Sequence, residues 1–278
     1  MPGSNRRALE KAKTIDADTL VFDLEDAVAP AAKAEARELV AAALGSGDYG
    51  HRELVVRING VDTDWWRDDL AAIGSMGSAA ILLPKVEDAA VLSKVSEEMV
   101  WHSTDAACDF WVMLETPLGF LRAEEIATSH DRLTTLVIGT NDLVKDLRAR
   151  HTTGRQPVMA ALGMAILAAR AYGLTILDGV FNDFKDEDGF EFECAHARDM
   201  GFDGKTLIHP SQVEAANRIF APSPAELETA RRMIAAFDAA VEGGKGVAVL
   251  DGRMIEELHV AEARRMVQTA SVITGLMG

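Results

Sequence analysis

The chain has 278 residues, of which 48% are hydrophobic and 26% charged, enough apolar material for one large buried core with or without a small appendage. Its formal net charge of -16 argues against the basic surface that nucleic acid or an anionic membrane requires. Only two cysteines occur, Cys108 and Cys194, in no CxxC or histidine-spaced pattern, so neither a disulfide framework nor a zinc site is expected and the compartment implied is the reducing cytoplasm.

The chain opens with Met1-Pro2-Gly3-Ser4, a turn-like sequence of the kind that follows a strand. It does not read as a secretory leader, and no apolar run approaches the length that spans a bilayer, so a soluble protein is expected. Short apolar or β-branched runs follow at roughly residues 19–23, 54–58, 79–83, 110–115, 134–139, 174–178 and 204–208. Between them, segments 30–44, 64–76, 87–100 and 155–172 place apolar residues at helical spacing, which predicts alternating strands and helices around a parallel sheet buried on both faces. A TIM (β/α)8 barrel fits this alternation best. Seven runs are one short of closure, so either a strand lies upstream or one run escapes the count.

The last barrel helix is expected over 211–219. Ala221-Pro222-Ser223-Pro224 then stiffens the chain, which places a boundary between a catalytic barrel at 1–220 and a C-terminal segment at 221–278. That segment reads as a helix over 225–242, a hairpin-like element around Val247 to Gly252 and a helix at about 257–274, together a small helical lid.

In a parallel barrel the reacting groups gather where the strands end. The strand ends here carry Asp23-Leu24-Glu25-Asp26, Arg57-Ile58-Asn59, Pro84-Lys85-Val86-Glu87, Glu115-Thr116-Pro117 and Gly139-Thr140-Asn141-Asp142. Carboxylates, an arginine and a lysine converging in one mouth suit a hard divalent cation such as magnesium together with an anionic substrate. Each group also has a plainer reading. Asn141 or Asp142 would cap the helix that starts near residue 143. Glu115, at the end of an apolar strand, needs a partner to offset its desolvation, and Arg57 or Lys85 would serve. Arg57 would neutralise the Asp23, Glu25 and Asp26 cluster, or grip a substrate carboxylate with its planar fork. Glu25 and Asp26 would touch substrate directly or support the groups that do. His209, the one strand-end histidine, would form a turn. No GxSxG elbow, P-loop or GxGxxG fingerprint is found.

Pro2-Gly3-Ser4, Phe22-Asp23-Leu24-Glu25-Asp26-Ala27-Val28, Val56-Arg57-Ile58-Asn59, Leu83-Pro84-Lys85-Val86-Glu87, Glu115-Thr116, Asn141-Asp142-Leu143 and Ile208-His209-Pro210-Ser211-Gln212 resemble, in order, the motif series of citrate lyase beta subunits and malyl-CoA lyases. The resemblance covers nearly the whole chain. It implies a TIM barrel that cleaves or forms a carbon–carbon bond in a 3-hydroxyacyl thioester such as malyl-CoA or citramalyl-CoA, assembled as a homotrimer or a hexamer. It further implies that Glu115 and Asp142 hold magnesium and that Arg57 contacts and polarises the substrate. Arg6, Lys11 and Lys13 would meet the phosphates of the CoA carrier, or form a solvated helix face. Where related lyases carry Met-Ile-Asp in the lid, with the aspartate as candidate acid or base, this chain reads Met254-Ile255-Glu256, which leaves Glu256 with a longer reach. Other readings are a citrate lyase beta subunit acting on an acyl carrier protein thioester, a thioesterase using the same metal site, and a non-catalytic assembly barrel.

Overall fold

The computed structural model of the chain describes residues 1–73, 80–101 and 108–276. It divides into two compact units, Met1–Ala216 and Asn217–Gly278.

The first unit alternates helices and strands: α1 (Arg6–Ala12), β1 (Thr19–Asp23), α2 (Lys33–Ser46), β2 (Glu53–Arg57), α3 (Trp66–Ile73), β3 (Ala80–Leu83), α4 (Ala90–Trp101), β4 (Asp109–Leu114), α5 (Pro117–Leu121), α6 (Ala123–Ala127), β5 (Leu133–Ile138), α7 (Thr140–Asp146), α8 (Met159–Ala171), β6 (Thr175–Asp178), α9 (Glu187–Met200) and β7 (Gly204–Lys205). Helix α10 (Val213–Phe220) straddles the division. Local chemistry explains many of the limits. Thr116 caps α5 by accepting from the Gly119 amide, Asp186 does the same for α9 at Gly189, and Gly47 and Gly201 end α2 and α9 in the left-handed region. The expected helix over 64–76 runs past Ile73, and the expected strand at 79–83 starts before Ala80, into residues outside those described.

The seven strands are parallel and pair in sequence order from β1 to β7. Among the described residues this is a seven-stranded parallel half-barrel sheet, and the closed eight-stranded barrel expected from the sequence is not confirmed. Closure would need a hydrogen-bonded neighbour on the free side of β7, which spans two residues and, among the described residues, pairs with β6 alone. On the other side, Met1–Gly3 runs beside the end of β1: the Asp23 amide donates to Met1 O at 2.9 Å, and the Gly3 amide to Asp23 O at 2.8 Å.

Strand parity sorts the side chains. Val55, Ala80, Leu82, Trp111 and Val137 form one buried layer, with Val21, Met113 and Leu177 packed against it. Because side chains alternate with a period of two, the same face continues at the strand ends into Asp23, Arg57, Glu115 and Gly139. The site thus stands on the core layer. The opposite face, including Phe22, Val56, Ile81, Leu83, Phe110, Val112, Leu114 and Ile138, is also buried, as the apolar strands predict.

A buried polar relay fixes the turn after β1. Lys33 Nζ donates to Leu24 O and Glu25 O, both at 2.7 Å, and to Asn59 Oδ1 at 2.6 Å. Asn59 donates from Nδ2 to Leu24 O at 2.9 Å and to Asp69 Oδ2 at 2.6 Å, and Asp69 Oδ1 accepts from Arg37 Nε at 2.7 Å.

The second unit holds α11 (Pro224–Glu242), the antiparallel pair β8 (Ala248–Leu250) and β9 (Arg253–Ile255), and α12 (Glu257–Leu276). Ser223 and Glu226 make a capping box at the start of α11. Phe237, Ala248, Ile255 and Val260 form its own small core. No described helix is long and apolar enough to cross a membrane.

Asp69 is fully buried and accepts from Asn59 and Arg37. Asp69→Ala leaves the buried Asn59 amides without their acceptor and Arg37 with only Asp68, 3.3 Å away, and the Trp65 carbonyl, and is expected to cost about 2–4 kcal/mol in urea unfolding. A loss below about 1 kcal/mol would show that the relay is not a structural anchor.

Candidate active site

Asp23 and Arg57 are Cα partners at the ends of β1 and β2, so their side chains leave the same face side by side. Arg57 donates from Nε to Asp23 Oδ1 at 2.7 Å and from Nη2 to Oδ2 at 2.5 Å, a bidentate pair. Asp23 also accepts from the Glu25 amide at 2.8 Å and the Ala27 amide at 3.1 Å. Burial alone would raise the Asp23 pKa, but the guanidinium and the two amides hold it below the ordinary carboxylate range. Arg57 Nη1 lies 3.2 Å from Glu25 Oε2 and 3.6 Å from Met113 Sδ. The reading in which Arg57 neutralises the acidic cluster therefore describes its resting contacts.

Lys85 follows β3 with φ 52°, a left-handed conformation unusual for a side chain of its size. That turn does two things. It aims the Lys85 amide at Glu115 Oε1, 2.7 Å away, and brings Nζ onto Glu25 Oε1 and to 3.3 Å from the Asp26 carboxylate. Glu25 is buried, and its Oε2 has no hydrogen-bond donor despite the nearby guanidinium. Burial raises its pKa against the pull of Arg57 and Lys85.

Glu115 is 2% exposed and forms no ion pair among the described residues; its contact with Lys85 is to the backbone. Arg57 and Lys85, its expected partners, are engaged by Asp23, Glu25 and Asp26. Burial first, and the Glu25 charge second, push the Glu115 pKa up to about 7. Its carboxylate lies over Gly139: a Cβ there would stand 2.5 Å from Glu115 Oε2 and 2.4 Å from its Cβ. Only glycine allows that crossing.

Asp142 sits in the first turn of α7, one strand further on, with its side chain 24% exposed and Oδ1 accepting from Lys145 at 2.7 Å. The residue at the start of α7 is Gly139, and no side chain caps it. Neither Asn141 nor Asp142 therefore serves as the cap that the sequence allowed: Asn141 instead pairs with Asn182.

The mouth sets Asp23, Glu25, Asp26 and Glu115 against Arg57 and Lys85, leaving negative charge in excess. An oxygen-only donor set with a buried carboxylate lacking a cation suits a small hard dication. Among the described residues no group of three or more His, Cys, Asp or Glu is arranged around a metal position. An ion held by Glu115 and Asp142 would complete its shell with water and substrate oxygens, as magnesium commonly does.

The remaining sequence candidates lie as follows. Arg6 and Lys11 are exposed on α1, whereas Lys13, just after it, is held by Glu10 at 3.0 Å and Asp48 at 3.3 Å. Glu256 precedes α12 in the second unit, where its amide donates to His259 Nδ1 at 3.1 Å. His209 forms a turn, accepting from the Ser211 amide at 3.2 Å. Sequence reasoning missed Lys33, Arg37 and Asp69. Lys33 and Arg37 are four apart on one helical face, a hint of a shared buried partner, while nothing local singled out Asp69.

Residues 1–210 match the family model described as HpcH/HpaI aldolase/citrate lyase, and the chain belongs to this family. A (3S)-malyl-CoA thioesterase of Cereibacter sphaeroides is 51% identical over 273 residues, covering 98% of this chain and 93% of that protein. Citrate lyase subunit beta of Leuconostoc mesenteroides subsp. cremoris is 37% identical over 280 residues, 98% of this chain and 91% of the other. The crystal structure of CitE from Mycobacterium tuberculosis, in complex with magnesium, acetoacetate and coenzyme A, aligns with TM-score 0.80 at 30% identity over 98% of this chain and 96% of that one.

Two outcomes test the Glu115 environment. Its raised pKa means that the native, metal-free state loses stability as pH rises from 4.5 through about 7. Glu115→Gln is therefore expected to stabilise the metal-free chain by about 3 kcal/mol at pH 8 and by little at pH 5, read by urea unfolding at both. Equal effects at the two pH values would contradict the assignment. Gly139→Ala is expected to displace the Glu115 carboxylate and weaken metal binding by about tenfold or more, measured by calorimetry.

Proposed function

We propose that this protein acts on a malyl-CoA-type 3-hydroxyacyl thioester at a magnesium site whose protein ligands are Glu115 and Asp142. The observation that carries the reading is the buried Glu115 carboxylate, left without a cationic partner while each neighbouring cation is engaged elsewhere. The substrate class rests on the thioesterase and citrate lyase relatives, and the metal on the magnesium-bound CitE structure.

Magnesium, when bound, supplies a Lewis acid that polarises a substrate oxygen. The chain's own residues do the rest. Glu115 gives up its proton to become a ligand, which makes affinity fall below about pH 7. Arg57, locked by Asp23, presents a fixed positive charge that stabilises the oxyanion or enolate developing on the thioester, at no reorganisation cost. Glu25 and Asp26 hold Lys85 and shape the rim where substrate polar groups dock. Glu256 serves as the acid or base, and Arg6, Lys11 and Lys13 attract the phosphates of CoA. The enzyme works in the cytoplasm as a homotrimer or hexamer, with the barrel at 1–220 and the lid at 221–278.

Of the two bonds that can break, the thioester is favoured, because the 51% identical thioesterase matches along nearly its full length. Carbon–carbon cleavage is the second reading, favoured by the citrate lyase relatives at 37% and 34% identity; in it a citrate lyase-type acyl carrier protein would be the alternative thioester donor.

With (3S)-malyl-CoA as substrate, hydrolysis releases malate and free CoA thiol, whereas cleavage releases glyoxylate and acetyl-CoA. Chromatography of the acyl products with a thiol titration separates the two, and malate with thiol is the expected result. Activity is expected to vanish with EDTA and to fall at least about a hundredfold in Glu115→Gln and Arg57→Gln. Turnover that survives both EDTA and Glu115→Gln would overturn the metal reading. Glu256→Ala is expected to lower kcat while leaving magnesium affinity unchanged; equal losses in both would remove it from the acid–base role.

A further inference from the structure

The first turn of α7 delivers Asp142, and no side chain caps that turn: the residue at its start is Gly139. A side-chain restraint from outside the helix comes from the loop after β6. Asn182 Nδ2 donates to Asn141 Oδ1 at 2.7 Å, and Asn141 Nδ2 donates back to Asn182 Oδ1 at 3.1 Å. A reciprocal amide pair fixes the orientation of both side-chain planes, which a single hydrogen bond does not. Beside it, Gly179 packs so closely that a Cβ would stand 2.7 Å from Thr140 Oγ1 and 2.9 Å from Ile138 O.

The β6 loop is itself anchored. Gln212 Nε2 donates to Phe181 O at 3.0 Å, and Lys205 Nζ donates to Gly179 O at 2.5 Å and to Asp178 Oδ2 at 2.7 Å. Asp178 also receives Arg155 Nη1 at 2.7 and 2.8 Å, and Arg155 belongs to the chain that follows α7. The segment from Thr140 to Arg155 is therefore held at both ends by the ends of β6 and β7 and their loops. Asp142, between these restraints, has Lys145 as its side-chain partner among the described residues.

From this geometry we infer that Asn182 is a positioning residue for Asp142: through Asn141 it holds the α7 turn at the angle from which the Asp142 carboxylate reaches a metal. The inference rests on the proposed ligand role of Asp142. Groups that orient a metal ligand typically change affinity by roughly tenfold or more when removed, and the site is sensitive to displacements well below an ångström.

The test is magnesium titration calorimetry on the full metal-free chain, comparing wild type with Asn182→Ala, Asn182→Leu, Asn141→Ala, the Asn141→Ala/Asn182→Ala double variant and Glu115→Gln. Each single asparagine variant is expected to raise the magnesium Kd roughly tenfold. The double variant should be no more than about twofold weaker than either single one, since the pair acts as one unit. Because both amides are exposed, circular dichroism and thermal midpoints are expected to stay near wild type. Asn182 variants within about twofold of wild type, while Glu115→Gln loses binding, would overturn the positioning role and leave the metal reading intact. Losses that simply multiply in the double variant would also overturn it. Unchanged affinity in Glu115→Gln would overturn the metal reading itself, and this inference with it.

Discussion

The pairing of Asp23 with Arg57 is the interaction on which the rest of the site depends. The two residues are register partners at the ends of adjacent parallel strands, largely buried, and joined by two short hydrogen bonds. Separating them would leave a charge in a low-dielectric mouth, a cost of several kcal/mol. Their union also settles what their neighbours do. Asp23 takes the amides of Glu25 and Ala27, which curls the chain so that the Glu25 carboxylate comes back toward Arg57 and Lys85.

From that pair follows a division of charge. Arg57 and Lys85 are absorbed by three carboxylates near β1, and Glu115, two strands away from β2, receives only a backbone amide among the described residues. Burial and the Glu25 charge raise its pKa to about 7, so Glu115 changes protonation where a metal competes with the proton. The relay of Lys33, Asn59, Asp69 and Arg37 lies behind this arrangement and holds the backbone carbonyls of Leu24 and Glu25 in place. Such a mouth is polarised before any ligand enters, which is what electrostatic stabilisation of a developing oxyanion requires.

The family match and the geometry speak to different levels of function. Membership in the HpcH/HpaI aldolase/citrate lyase family fixes the scaffold and its strand-end motifs. Relatives at 51% and 37% identity carry different activities, a thioesterase and a citrate lyase subunit. A polarised thioester carbonyl lies close to either chemistry. The charge arrangement at the ends of β1 to β4 does not by itself distinguish the two activities.

By itself the sequence determined the alternation of strands and helices, the polar strand ends, and the family, because continuous apolar runs and clustered charged residues are local patterns that survive without coordinates. It also put Arg57, Lys85, Glu115 and Asp142 forward as candidate site residues, since polar groups at the end of a buried strand have few other reasons to be there. Partnership was decided only by the tertiary structure. Whether Arg57 neutralises Asp23 or Glu115 depends on register across β1 and β2; whether Asn141 caps α7 or clasps Asn182 depends on a loop forty-one residues away. The extent of the sheet was likewise beyond the sequence, because pairing is made between strands: seven parallel strands could be read from their runs, but which backbone edges meet could not.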